Sequence, residues 1–137
     1  MRYAGLDVGT KTIGVAISDK TNSISIPLKT IRFLNLADAM IEIKNIVIEN
    51  GITDIAVGLP KNMDGSQGAA SQRSKDFVML LQKYVDSNID FVDERLTTRE
   101  AQNILIAQDM RREKRKTVID SVAAVLILDI YLKMKGE

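Results

Sequence analysis

The sequence predicts an α/β fold, in which a five-stranded mixed sheet carries helices on both faces. Two observations predict it. Three strand-like segments follow one another at the start of the chain, and helical and strand patterns alternate after them. The run at positions 54–59 is apolar almost throughout, which is typical of a central strand covered on both faces. With 137 residues, 45% of them hydrophobic, the chain is expected to form one domain over 1–137.

The first three strands are expected at about Tyr3–Val8, Thr12–Ser18 and Ser23–Ile31. Side chains alternate between the two faces of a strand. One face of the first strand should therefore carry Ala4, Leu6 and Val8, and the other Tyr3, Gly5 and Asp7. Pro27 cannot donate a hydrogen bond to a neighbouring strand, so the third strand is expected at an edge of the sheet.

The rest of the chain is expected to alternate between helices and strands, with one long, mobile loop at Pro60–Ser74. Gly51 should end the first helix, and Thr97 with Glu100 should form a capping box for a later one. The expected elements are a helix at Ala37–Asn50, a strand at Asp54–Leu59, a helix from Ser74 to about Val85, a strand at Ile89–Val92, and helices at Thr97–Asp109 and Thr117–Lys133.

Composition restricts the chemistry that this chain could perform. It has no cysteine and no histidine, which excludes thiol nucleophiles, zinc–thiolate sites and imidazole bases. An active site would have to use carboxylates, lysines, hydroxyls, backbone amides or a metal ion with oxygen ligands. The 19 basic and 18 acidic residues nearly cancel, so any attraction to nucleic acid must be local. The sequence shows no signal peptide or membrane-spanning run, and the expected location is the cytoplasm.

Three carboxylates are candidates for one site: Asp7, Glu94 and Asp120. Asp7 lies at the end of the first strand and Glu94 follows the strand at Ile89–Val92, and the carboxyl ends of parallel strands meet at one end of a sheet. Asp120 shares a helical stripe with apolar residues that should face the sheet. Acids gathered there would repel one another unless a cation such as Mg²⁺ or Mn²⁺ lay between them. Two such ions about 4 Å apart can activate water and stabilise a leaving oxygen.

Each acid also has a structural interpretation. Asp7 could cap the glycine turn that follows it. Glu94 could be a solvated acid paired with Arg95. Asp120 could stabilise the first turn of a helix that begins at Thr117.

A basic segment precedes the predicted Asp120 helix and carries a local charge of +4, from five basic residues and one acidic residue. Its position next to the candidate site favours contacts with phosphate, whereas the alternative is a solvated loop. Aromatic residues make up only 4% of the chain, which argues against a base-stacking platform. Recognition should therefore depend on backbone and shape. The basic residues of this segment are Arg111, Arg112, Lys114, Arg115 and Lys116.

Four segments resemble, in order, the motifs of the YqgF-type family of ribonuclease H-like nucleases: Gly5–Ala16, Val57–Ser66, Asp93–Thr98 and Asp120–Ala124. The match covers nearly the whole chain. The resemblance implies a ribonuclease H-like fold, metal-dependent cleavage of phosphodiester bonds, and catalytic, metal-binding roles for Asp7, Glu94 and Asp120. Thr12 stands where the family usually has arginine, which affects a phosphate contact there and not the fold. Further nucleic-acid contacts are expected from Thr10, Lys11, Lys61, Arg73 and Arg95.

Members of this family are named as pre-16S rRNA nucleases or Holliday junction resolvases, so structured RNA and branched DNA are the candidate substrates. Processing of ribosomal RNA is the favoured function, because a housekeeping role suits a small domain without partner modules. Two other classes compete with it. The segment Asp7–Lys11 also resembles the phosphate loop of actin-like ATPases and sugar kinases, which need two such domains. The chain could also be a non-catalytic nucleic-acid-binding module. A monomer or weak homodimer is expected.

Overall fold

The computed structural model describes residues 1–60, 68–93 and 112–136, and in the last of these segments it describes side chains only for residues 122–135. The described residues form five strands and three helices. In chain order they are β1 (Tyr3–Val8), β2 (Thr12–Ser18), β3 (Ser25–Arg32), α1 (Leu36–Asn50), β4 (Asp54–Leu59), α2 (Ala69–Leu81), β5 (Asn88–Asp93) and α3 (Arg112–Gly136). Among the described residues, no helix is both long and apolar enough to cross a membrane.

The five strands form one mixed sheet in the order β3-β2-β1-β4-β5. β1 is antiparallel to β2 and parallel to β4, and β5 is parallel to β4. The predicted mixed sheet is therefore confirmed, and so is the position of β1 between β2 and β4. β3 lies at an edge, as Pro27 predicts, and every residue of β4 is buried.

Two apolar cores lie on opposite faces of the sheet. The first joins the sheet to α1 and α2 through residues such as Leu6, Met40 and Phe77. The second joins the sheet to α3 through residues such as Tyr3 and Ala124. The alternation predicted for β1 is confirmed, because Leu6 faces the first core and Tyr3 the second.

The ends of α1 follow from local hydrogen bonds. The side-chain oxygen of Asn35 accepts a 2.8 Å bond from the backbone N–H of Ala37 and so caps the first turn. Gly51 ends the helix in a left-handed conformation (φ 63°), as predicted.

β3 begins at Ser25, two residues later than predicted. The carboxylate of Asp19 accepts backbone hydrogen bonds from Ser23 (2.8 Å) and Ile24 (3.1 Å), which hold that segment in a turn. Hydrogen bonds from Thr21 and from the backbone of Ile24 lower the pKa of the Asp19 carboxyl. A short acidic side chain thus competes with strand pairing at this point.

α2 begins at Ala69, so the prediction of a loop as far as Ser74 is wrong over 69–74. Ser71 and Ser74 are buried on the inner face of this helix, and the Ser71 hydroxyl donates to the backbone carbonyl of Pro60. Small serine side chains fit against the sheet, so the polar composition of this stretch did not indicate exposure. The helix ends at Leu81, before the predicted Val85. The expected mobility of residues 61–67 lies outside the described residues.

α3 spans Arg112–Gly136 and is longer at its start than the predicted Thr117–Lys133. Residues 112–116 therefore lie in a helix and not in an exposed loop. Lys, Arg and Glu are good helix formers, and the stretch contains no glycine or proline to interrupt it. Thr117 does not begin the helix, and Asp120 lies in its interior, beyond the first turn. The predicted helix Thr97–Asp109 lies outside the described residues.

Gly5 lets α3 approach β1 closely. A Cβ atom added at Gly5 would lie 2.7 Å from the carbonyl oxygen of Ala124 and 2.8 Å from the Cβ atom of Leu128. Two residues earlier on the same face, the ring of Tyr3 meets the ring of Tyr131 edge-to-face, with centroids 5.8 Å apart. α3 therefore runs in the direction opposite to β1.

The last turns of α3 are tied to β5. The hydroxyl of Tyr131 donates a 2.6 Å hydrogen bond to the carboxylate of Asp90. The ammonium of Lys135 lies 3.7 Å from the same carboxylate and 5.3 Å from the centre of the Tyr131 ring. Burial, together with the hydrogen bond and the negative charge of Asp90, raises the pKa of the Tyr131 hydroxyl above its ordinary value.

We expect Gly5→Ala to destabilise the protein by about 1–3 kcal/mol, because the methyl group meets a helix backbone that has to move. Chemical denaturation measures this loss. Gly51→Ala is a comparison variant and not a neutral one: its added Cβ meets nothing within 4 Å, so its own loss of about 1–2 kcal/mol comes from the left-handed backbone alone. A Gly5→Ala protein as stable as the wild type would contradict the close contact.

We expect Tyr131→Phe to cost about 0.5–1.5 kcal/mol of stability at neutral pH, through the lost hydrogen bond to Asp90. The raised pKa of the Tyr131 hydroxyl favours the folded state only while the unfolded chain keeps the proton. The stability advantage of the wild type over this variant should therefore shrink above about pH 10, where an unfolded tyrosine ionises. Denaturation curves of both proteins between neutral and alkaline pH measure it. A constant difference in unfolding free energy across that range would show that the Tyr131 hydroxyl ionises at the same pH in the folded and unfolded protein.

Candidate active site at the carboxyl end of the parallel strands

The carboxyl ends of the parallel strands β1, β4 and β5 lie side by side at one end of the sheet, and we call this end the rim. The register places Leu6 beside Val57, Gly58 beside Val92 and Leu59 beside Asp93. The convergence predicted from the sequence is therefore confirmed for the three strand ends that the structure describes.

Asp7 lies at this rim on the face that α3 covers, and it is half-buried. It pairs with Gly14 of β2. On its other side the register continues from Leu6 and Val57 to Gly58 of β4. The positions next to Asp7 on both neighbouring strands are thus glycines.

The side chains of the other two candidate acids, Glu94 and Asp120, lie outside the described set. Glu94 lies outside the described residues, and β5 ends one residue before it, at Asp93. Asp120 lies in the described backbone of α3, but its side chain is outside the described set. Among the side chains that are described, no group of three or more acids could hold a metal ion. The predicted gathering of Asp7, Glu94 and Asp120 stays a prediction.

Two predicted phosphate-binding residues lie in the turn between β1 and β2. Thr10 and Lys11 are exposed there. The N–H of Gly9 donates to the carbonyl of Thr12 at 2.8 Å, and the N–H of Phe33 donates to the carbonyl of Lys11 at 3.1 Å. These bonds fix the turn against the start of the segment that leads into α1. The turn therefore presents exposed groups from a defined backbone.

The other predicted phosphate-binding residues are more widely distributed. Arg73 is half-buried in the second turn of α2. Arg112, Lys114, Arg115 and Lys116 belong to the first turns of α3, where the backbone alone is described. Lys61, Arg95 and Arg111 lie outside the described residues.

A cleft of about 530 Å³ opens next to Asp7, on the opposite face of the sheet. Its apolar walls include Phe33, Phe77 and Leu36, and its polar residues are Thr10, Gln72, Arg73 and Asp76. The sequence did not predict this cleft. Phe33 and Phe77 are far apart in the chain, and no local pattern connects them. Hydrophobic residues at helical spacing indicated only that parts of α1 and α2 would be buried.

The fold defines a class of protein. The structure is similar to that of the Fowlpox virus resolvase in complex with Holliday junction DNA, with a TM-score of 0.66 at 13% identity over 100% of both chains. It is also similar to T. thermophilus RuvC in complex with a Holliday junction substrate, with a TM-score of 0.64 at 11% identity over 98% of this chain and 96% of that one. Identities this low establish the fold, which is ribonuclease H-like.

The chain belongs to the RuvX family, described as Holliday junction resolvase, whose family model matches residues 1–134. A relative from Thermoanaerobacter pseudethanolicus is 50% identical over 133 residues, 96% of each chain. Another from Halalkalibacterium halodurans is 48% identical over 134 residues, again 96% of each. Both carry the name "Putative pre-16S rRNA nuclease". The resemblance to the YqgF-type family is confirmed, and the chain is a member of a nuclease family whose reaction is hydrolysis of phosphodiester bonds.

Proposed function

We propose that this protein is a metal-dependent nuclease that processes the 5′ end of pre-16S rRNA. The observation that carries the proposal is the half-buried carboxylate of Asp7, held at the rim between the glycines of two neighbouring strands. A carboxylate at the end of a strand is the kind of ligand that suits a hard cation or a phosphate–metal complex. The name shared by relatives that are 42–50% identical supports RNA as the substrate.

The packing of α3 on β1 supports Asp120 as a second acid of the site. Gly5 lies against Ala124, and α3 runs opposite to β1. From Gly5, the next residue of β1 on that face is Asp7, about 7 Å further along the strand. One helical turn before Ala124 is Asp120, about 6 Å further along the helix. Counted from Ala124, the two steps are nearly equal and run in the same direction, which supports a position for Asp120 near the level of Asp7.

The alternation of β5 supports Glu94 as the third acid. Val92 is buried on the α3 face of the sheet, beside Gly58 of β4. Glu94 follows two residues later, so an extended backbone would carry its side chain to the same face, beyond the end of the strand. The length of a glutamate side chain suits the greater distance between β5 and β1.

Three carboxylates on one face of the rim fit a hard divalent cation such as Mg²⁺ or Mn²⁺, which prefers oxygen ligands. When bound, such an ion would supply an activated water and stabilisation of the leaving oxygen. Asp7, Glu94 and Asp120 would hold it. The turn at Thr10 and Lys11, with Arg73 and the basic turns of α3, would hold the phosphodiester backbone. This assignment needs neither histidine nor cysteine, and the chain has neither.

Cleavage of Holliday junctions is the second candidate, and the description of the RuvX family favours it. Purified protein with Mn²⁺ should be tested side by side on a precursor RNA with an unprocessed 5′ end and on a four-way DNA junction. Preferred cleavage of the RNA supports the proposal, and preferred cleavage of the junction supports the second candidate. Binding without cleavage of either would indicate a non-catalytic nucleic-acid-binding module. The cytoplasmic location, the single domain and the monomeric or weakly dimeric state stay predictions.

We expect Asp7→Asn to abolish metal-dependent cleavage, because it removes a charge and a ligand while keeping the shape of the side chain. Glu94→Gln and Asp120→Asn should lower activity by orders of magnitude. Asp38→Asn, an exposed acid in the first turn of α1, is a control that should cleave normally. A fully active Asp7→Asn protein would contradict the proposed site.

Stability separates a metal-binding role from a structural role for Asp120. If Asp120 is crowded by the other acids, Asp120→Asn should preserve or raise the stability of the metal-free protein, because one like charge is removed. The stabilisation gained on adding Mg²⁺ should then shrink. Melting curves with and without Mg²⁺ measure both effects. A destabilised but fully active variant would remove Asp120 from the site.

We expect replacement of Arg112, Arg115 and Lys116 by alanine to weaken nucleic-acid binding and to flatten its dependence on salt. Each lost phosphate contact on a duplex should remove about one unit from the slope of log affinity against log salt concentration. Alanine favours a helix, so α3 should persist. Lys83→Ala is a suitable control, because Lys83 is exposed beyond the end of α2 that lies away from the rim. An unchanged slope would assign these side chains to solvent.

A further inference from the structure

The cleft next to Asp7 has the composition of a binding site for a planar, apolar group. Its inner wall combines the rings of Phe33 and Phe77 with aliphatic side chains. Phe77 is almost fully buried and fixed in the core, while Phe33 is only partly buried and packs against that core. At about 530 Å³ the cleft falls within the size range of small-molecule sites, roughly 300–1,000 Å³. A flat ring could therefore enter and lie against an aromatic surface.

Polar groups near the cleft suit the remainder of a nucleotide. Gln72 and Asp76 lie one turn apart on α2, and the amide of Gln72 donates a 2.9 Å hydrogen bond to the carboxylate of Asp76. This bond orients both side chains and leaves oxygen and N–H groups for the edge of a base. Arg73 and the hydroxyl of Thr10 also line the cleft and are of the type that contacts phosphate.

The cleft lies close enough to the proposed active site for one nucleotide to reach both. Asp7 and Val8 are consecutive in β1, so their α-carbons are about 3.8 Å apart and their side chains point to opposite faces. Asp7 faces the α3 side, whereas Val8 lines the cleft. A nucleotide whose phosphate lay at Asp7 could therefore pass around the end of β1 and place its base in the cleft.

We propose that this cleft takes an unpaired nucleobase of the nucleic-acid substrate, stacked against Phe33, next to the phosphate at the active site. The proposal rests on the proposed function for the position of that phosphate. It goes beyond it by requiring that one nucleotide near the site be unstacked from its neighbours. Proteins commonly hold such splayed or flipped bases between aromatic and apolar side chains.

The test measures binding, so that it does not depend on cleavage. The Asp7→Asn protein is titrated with a hairpin RNA that has a single-stranded 5′ extension. It is then titrated with a series in which one nucleotide of the extension at a time is abasic. One abasic position should weaken binding about 5- to 150-fold, the range expected for one aromatic–base stack. A fluorescent adenine analogue at that position should be quenched on binding.

Phe33→Ala in the same protein should weaken binding of the intact RNA by a similar factor and leave binding of the sensitive abasic RNA nearly unchanged. Phe33→Leu keeps an apolar side chain without the ring and should show an intermediate loss. Leu34→Ala is the matched control, because Leu34 is the next residue and is fully exposed. It should bind both RNAs like the parent protein. Melting curves establish that each variant is folded.

Two results would overturn the proposal. One is an abasic series in which no position weakens binding to the Asp7→Asn protein. This measurement leaves the residues of the cleft unsubstituted, so misfolding of a cleft variant cannot explain it. The other is a Phe33→Ala protein that loses affinity equally for intact and abasic RNA. The same series in single-stranded DNA shows whether the base must belong to RNA. Base-dependent binding by a protein whose wild type cleaves nothing would overturn the proposed function and leave the cleft proposal standing.

Discussion

The close contact between α3 and β1 at Gly5 is the constraint on which the arrangement of the rim depends. A Cβ atom at this position would fall within 3 Å of the Ala124 carbonyl oxygen, so the helix can lie at this depth only over a glycine. The neighbouring buried residues on this face are small as well, with Ala16 on β2 and Ala56 on β4. The depth of the helix decides how far its earlier turns stand from the carboxyl end of β1. A glycine in the middle of a strand thus helps to set the distance between the backbone of α3 and the end of β1 that carries Asp7.

The far half of α3 is fastened to both sides of the sheet. Tyr131 and Lys135 hold it to Asp90 of β5, and Ser25 of β3 donates a 2.7 Å hydrogen bond to Asp129. These contacts lie at and beyond Ala124, towards the end of the helix. The first turns contain residues 112–116, four of which are basic, and extend past the level of Asp7. Because its C-terminal half is packed on the sheet, α3 can extend its N-terminal turns past the rim without loosening the packing of the sheet.

The sequence was most informative where a residue or a short run of residues is compatible with only one local structure. Pro27 predicted an edge strand, the apolar run of β4 predicted a central strand, and Gly51 predicted the end of α1; all three are confirmed. These are local effects of backbone chemistry and burial. They suffice for the order of the elements and for the convergence of the strand ends at the rim.

The errors come from tertiary packing that overrides local signals. Ser71 and Ser74 look like loop residues, yet small polar side chains can be buried against a sheet. The stretch 112–116 looks like a solvated loop, yet it continues a helix whose later turns are anchored by packing. The cleft was missed for a third reason. Phe33 and Phe77 come together only because α1 and α2 cover the same face of the sheet.

The cleft also changes how substrate selection should be understood. Few aromatic residues suggested recognition by backbone and shape alone, but two of the three phenylalanines of the chain line one cleft beside the rim. Stacking against a ring accepts any base, so it selects for an unpaired nucleotide and not for a sequence. Precursor RNA ends and branched DNA both offer positions where stacking is interrupted, whereas a continuous duplex does not. If the cleft holds such a base, discrimination between those two substrates has to come from the path of the backbone, and the predicted phosphate contacts of the first turns of α3 are where that path would be read.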